Sequence, residues 1–174
     1  MPPVASGITH NGVTRLSKHD SIFHLARASG KRTAAAAYHW VSELYNQSPW
    51  LAARDRYTHD EQLPIQHGCF YWDDNYPDSH LLMDGEWLRS QYDPDFLLIH
   101  PMGVDDAGHK FGLDSRQYRN QARRMGTFFD GKEARRPLVG ERLHLLPFVM
   151  YIAPGSGYRQ CRPREQGIKP IKLQ

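Results

Sequence analysis

Apolar residues along this chain fall into short blocks divided by polar and turn-forming residues, and the blocks predict alternating helices and strands. Ser17 is placed to cap a helix over residues 18–29, with Ile22, Leu25, Ala26 and Ser29 near one face and Gly30 as its stop. The run at 33–38 holds four alanines, which favour helix. Its six residues, bounded by Gly30, Lys31 and Arg32, equally fit a buried parallel strand, and strand is the reading adopted. Residues 39–45 predict a loop with a short helical turn. Residues 46–66, rich in Asn, Ser, Pro and Asp, predict irregular chain.

Residues 67–72 predict an aromatic-rich strand, and the turn cluster that follows leads to Asp78 or Ser79 as the cap of a helix reaching about residue 91. Leu81, Leu82, Trp87 and Leu88 form its apolar side. Asp93, Pro94 and Asp95 close it. Residues 96–100, Phe-Leu-Leu-Ile-His, form the clearest strand, and a loop then leads to a helix capped by Asp114 or Ser115 and ending near residue 129. Helices alternating with strands imply an α/β domain built on a parallel sheet. Residues 130–174 are dense in Arg, Pro and Gly. They predict a poorly ordered tail with one possible strand at 143–153 and little order beyond Pro154.

Composition narrows the class. A chain of 174 residues, 40% apolar and 24% charged, suits one soluble globular domain. No apolar run approaches the ~18 residues of a membrane helix. The first ten residues lack the basic and apolar regions of a secretory signal. Cys69 and Cys161 form no paired motif and read as free thiols, which places the chain in a reducing cytoplasm. Charge is uneven: 9 Lys/Arg against 15 Asp/Glu before residue 116, then 13 against 4 from there to the end. A basic end can bind nucleic acid. No nucleic-acid motif accompanies it here, so Arg116, Arg119, Arg123 and Arg124 read as a solvated face.

Candidate chemistry lies in the predicted loop after residues 96–100. Functional groups collect past the carboxyl ends of strands in open α/β sheets. There Asp105 and His109 offer a hard oxygen and an imidazole nitrogen, a ligand mixture suited to zinc. Gly103, Gly108 and Gly112 would let a loop turn sharply. His100 and Asp106 could orient the ligands from an outer shell. Asp and Gly in such a loop also serve turn chemistry alone. His39, His67 and His80 are further candidate ligands that read equally as structural histidines. The aromatics Trp40, Tyr45, Trp50, Tyr57, Phe70, Tyr71 and Trp72 read as core packing, or as a cap over a leaving group.

The segment GVDDAGHKFG resembles the G-x-D-x-x-G-H-x-x-G segment of the nucleotide pyrophosphatase and type I phosphodiesterase branch of the alkaline-phosphatase superfamily. Residues 21–26 and 33–45 resemble that family's stretch before its cap region, and Gly7 to Gly12 resemble its H-G-I-x-x-N-G element, with Ser6 in place of the His. The similarity spans residues 6 to about 125. It implies an alkaline-phosphatase-type parallel-sheet sandwich over 1–129, with a cap-like region at about 46–92. It also implies a phosphate-ester substrate and a two-zinc centre in which Asp105 and His109 bind one metal.

Departures accompany the likeness. The family's nucleophile lies upstream of the H-G-I-x-x-N-G element and has no counterpart here. Thr9 and Thr14, the nearest hydroxyls, read as turn or surface residues. The strand end T-A-D-H-G and the later H-G-G are also missing: Met150 to Pro154 stand where the former should be. The expectation is a fragment of a metal-dependent phosphoric-ester hydrolase, with a catalytically inactive α/β binding or structural module, or a truncated or frame-shifted product with no activity of its own, as the alternative. A sheet with an uncovered edge is expected to follow.

Overall fold

A computed structural model describes residues 8, 15–129 and 149–152. The strands are β1 (Thr33–Tyr38), β2 (Tyr57–His59), β3 (His67–Tyr71), β4 (Phe96–Ile99) and β5 (Val149–Ile152). The helices are α1 (Ile22–Ala28), α2 (His39–Tyr45), α3 (Ala52–Asp55), α4 (Asp78–Tyr92), α5 (Gly103–Phe111) and α6 (Arg116–Phe129). The sheet runs β2-β3-β1-β4-β5. Its three inner strands are parallel, Ala36 lying between Cys69 and Ile99, and both outer strands are antiparallel to their neighbours. This is an α/β fold.

Every residue of β1 and β3 is buried, which explains why β1 reads as a continuous rather than an alternating run. Alternate alanines of β1 serve opposite faces. Ala34 and Ala36 join Leu81, Leu82 and Leu88 of α4 and Met125 of α6, while Ala35 and Ala37 join Phe23 of α1, Ile65 and Phe70. Small side chains at the centre let α4 lie close. A Cβ on Gly85 would stand 2.6 Å from Ile99 Cδ1 and 3.9 Å from the Ala36 Cβ.

Several expectations need correction. The first helix begins at Ile22, where His24 Nδ1 accepts the Ser21 backbone N–H at 3.1 Å, rather than at Ser17. It buries Phe23 and Ala26 and leaves Ile22 and Leu25 half exposed. Phe23 meets the Phe96 ring edge-on at 5.1 Å, and that aromatic contact outweighs the aliphatic stripe one position away. Trp87 likewise lies about half exposed, outside the buried side of α4. Residues 39–45 form a full helix, and the expected irregular stretch 46–66 contains α3 and β2. β5, inside the stretch 143–153 where a strand was expected, pairs antiparallel with β4, from Phe96–Ile152 to Ile99–Val149, so among the described residues β5 and not β4 is the outer strand on that side.

The largest correction concerns the expected loop after β4, most of which is the helix α5. Only Gly112 of its three glycines has a positive φ, +82°, and it ends the helix. The other expectations for residues 130–174, with Cys161, and for the N-terminal element with Thr9 and Thr14, lie outside the described residues. Among the described residues, no helix is long and apolar enough to cross a membrane.

Candidate functional site

Parallel strands place the ends of β1, β3 and β4 along one margin of the sheet, and the chain leaves β4 there through His100. The His100 N–H donates to Ala36 O at 2.9 Å, and its carbonyl accepts the Tyr71 hydroxyl at 2.9 Å. The exit from β4 is thus tied to the adjacent strand β1 and, beyond it, to β3. Burial pushes the His100 imidazole below its ordinary value, against the upward pull of Asp105 and Asp78.

Helix α5 begins three residues later, and its start is held from a distance. Asp78, at the first residue of α4, accepts the N–H groups of Met102 and Gly103 on one carboxylate oxygen, each at 3.2 Å. Its other oxygen accepts Gln121 Nε2 of α6 at 3.0 Å. The carboxylate therefore satisfies N–H groups that the helix leaves without an internal partner, and it carries the charge that suits a helix N-terminus. Met102 and Val104 pack on the core and Ala107 is buried, so the opposite face of α5 turns outward.

On that outer face, Asp105 and His109 stand one helical turn apart. Asp105 Oδ2 lies 3.5 Å from His109 Nε2, with the side chains 61% and 82% exposed. Two donors about 2.0–2.1 Å from a tetrahedral zinc ion are themselves about 3.4 Å apart. The separation of the two donors is close to that spacing. Among the described residues, no group of three or more His, Cys, Asp or Glu is arranged to hold a metal.

The outer-shell candidates take separate positions. Asp106 lines a cleft of about 260 Å³ with Asp74, Asp78, Gln121 and Arg124. Its carboxyl is raised by burial first and then by Asp74, Asp105 and Asp78, while His109 opposes. His39, His67 and His80 are engaged elsewhere. His39 Nδ1 lies 3.6 Å from Glu43 Oε2 and its ring meets Trp50; His67 stacks on Tyr92 with centroids 3.9 Å apart; His80 meets Tyr76 edge-on. The aromatic group divides, with Phe70 and Tyr71 in the core and Tyr57 and Trp72 well exposed. The four arginines of α6 are exposed, as expected, with Arg124 at the cleft.

No family model, curated protein or solved structure matches the chain. Sequence reasoning took Asp78 for a possible cap of its own helix. Nothing local signals that it caps α5 as well.

Proposed function

We propose that this chain supplies part of a zinc centre in a phosphoric-ester hydrolase of the phosphodiesterase and nucleotide-pyrophosphatase type, on an alkaline-phosphatase-like sheet sandwich. The observation that carries the reading is the 3.5 Å approach of Asp105 Oδ2 to His109 Nε2 on the helix that follows an inner parallel strand. The likeness of GVDDAGHKFG to that family's ligand segment supports it independently. Asp105 would hold the metal through its carboxylate and His109 through neutral Nε2, with His100 and Asp106 as outer groups. Zinc in such a centre polarises a phosphoryl oxygen as a Lewis acid. A phosphate ester is the substrate class, and the free thiol of Cys69 accords with a cytoplasmic setting.

A second reading is a catalytically inactive binding or structural module. It is favoured by the donor count, since two ligands are fewer than the three protein ligands usual in catalytic zinc sites. Hydrolysis of p-nitrophenyl phosphate and its diesters tests whether the chain completes a catalytic site by itself. The purified chain with added zinc is expected to turn these over barely above background. Robust turnover that vanishes in His109→Ala would show that the chain completes the site and would dismiss the inactive module.

A further inference from the structure

We propose that the facing histidines of β2 and β3, His59 and His67, form an acid-sensitive latch that holds the outer strand β2 on the sheet and releases it when both rings bind a proton. The two residues stand directly opposite each other in the antiparallel register, and their Nδ1 atoms lie 2.9 Å apart. A contact of that length has room for one proton: one ring donates from its Nδ1–H, and the other must present a bare lone pair. Two imidazolium rings cannot keep it. Like charges at that distance repel, and the repulsion would act on a His67 side chain of which only 3% reaches water.

Little else holds β2. It has three residues, and among the described residues it pairs only with β3. One backbone bond closes the ladder at each end: Asp60 N–H donates to Gln66 O at 2.9 Å, and Phe70 N–H donates to Arg56 O at 2.8 Å. The histidine pair adds an anchor to the body of the protein. The His67 ring stacks on Tyr92, the last residue of α4, with centroids 3.9 Å apart, and His59 stacks on the same ring at 5.3 Å. Separating His59 from His67 therefore loosens β2 from both β3 and α4. The fully buried β3 would then become the edge of the sheet, with N–H and C=O groups open to another strand.

Charged neighbours divide over the proton. Burial first and then His59 lower His67 from its ordinary value of 6.5, and Arg32 and Arg27 press the same way. Arg27 of α1 donates to the Glu61 carbonyl at 2.7 Å, and Arg32 is paired with Asp93 at 3.1 Å. Glu61 opposes them, with Oε1 3.6 Å from His67 Nε2, but its side chain is 67% exposed and screened by solvent. A group lowered in the folded chain contributes its full stability above 6.5 and withdraws it as pH falls below that value. The latch is thus closed at neutral pH and opens on the acid side.

Amide exchange followed by NMR on the full chain between about pH 7.5 and 5, comparing wild type with His59→Asn and correcting for the intrinsic pH dependence of exchange, tests this. The Asp60 and Phe70 amides read the latch, and the His100 amide, which donates to β1, reads the interior of the sheet. Below 6.5, protection at Asp60 and Phe70 should fall by up to about tenfold per pH unit, the slope of an opening that takes up one proton, while the His100 amide stays the better protected. In His59→Asn the side-chain amide can still meet His67 Nδ1 but gains no charge, so the fall at Asp60 and Phe70 should flatten. Flat protection in wild type overturns the latch, and so does the same slope in His59→Asn. An equal fall at all three amides overturns it as well, because the whole sheet is then opening at once. Should His59→Asn fail to fold, long-range ¹H–¹⁵N NMR of the wild-type rings decides. One protonated and one bare Nδ1 down to the pH of opening supports the latch; protons on both Nδ1 atoms while Asp60 and Phe70 remain protected overturn it.

Discussion

Side chains in this protein take their character from burial more than from charge. Cys69 sits in β3 among the residues packed against α4, and burial, aided by Asp84, pushes its thiol up to about 12. A thiol with so little thiolate at neutral pH is inert. In a Cys161→Ser background, Cys69 should therefore react with a disulfide reagent only as the protein unfolds, so that labelling and unfolding track together across a denaturant series. Rapid labelling under native conditions would contradict the packing of β3. Asp105 and His109 are the counter-example: both lie in solvent, and their spacing of four residues was legible as a pair of donors. Asp78 was not legible in its second role, because the N–H donors it accepts lie 24 and 25 residues away.

At the scale of elements, β1, β3, β4, α4 and α6 were readable within a residue or two, since each is a sustained apolar or periodic block between turn residues. Helix α5 was misread because Gly-Val-Asp-Asp-Ala-Gly is poor helix sequence, and its cap comes from elsewhere in the chain. β2 has only three residues and owes its existence to pairing with β3. The choice of strand over helix for the alanine run was decided by what surrounds it. Ala36 is fully buried between β3 and β4, with Gly85 of α4 above it. Ala36→Leu should consequently overpack that face and cost about 1–3 kcal/mol of stability. Urea unfolding measures it, and an unchanged midpoint would mean that α4 does not approach the sheet this closely.

Across the whole molecule, the buried histidines link folding to pH. His67 is lowered from its ordinary value of 6.5 by burial and further by His59, Arg32 and Arg27, with Glu61 opposing. His39 is lowered by burial against Glu43 and Asp74, and His100 shifts the same way. Each binds a proton less readily folded than unfolded, so the unfolded chain takes up more protons as pH drops below 6.5. Stability must fall with pH in that window. His59 and His67 add a geometric reason: their Nδ1 atoms are 2.9 Å apart, an arrangement that requires one neutral ring as acceptor. At lower pH, Asp84 and Asp106, both raised by burial, act in the opposite sense, because protonation relieves them in the folded state. The urea midpoint should thus decline from pH 7.5 to 5.5, and a flat or rising midpoint would contradict the burial of these rings. The α/β architecture was legible from the order of blocks, and β5 lies within the possible strand read at 143–153, where it pairs antiparallel with β4 as the outer strand. The central claim is that Asp105 and His109 take a zinc ion together. Titrating zinc while following the His109 ring nitrogens by long-range ¹H–¹⁵N NMR tests it most directly. The account predicts a selective shift at Nε2 that is lost in Asp105→Asn; a His109 ring unmoved by zinc, or moved equally in Asp105→Asn, would contradict it.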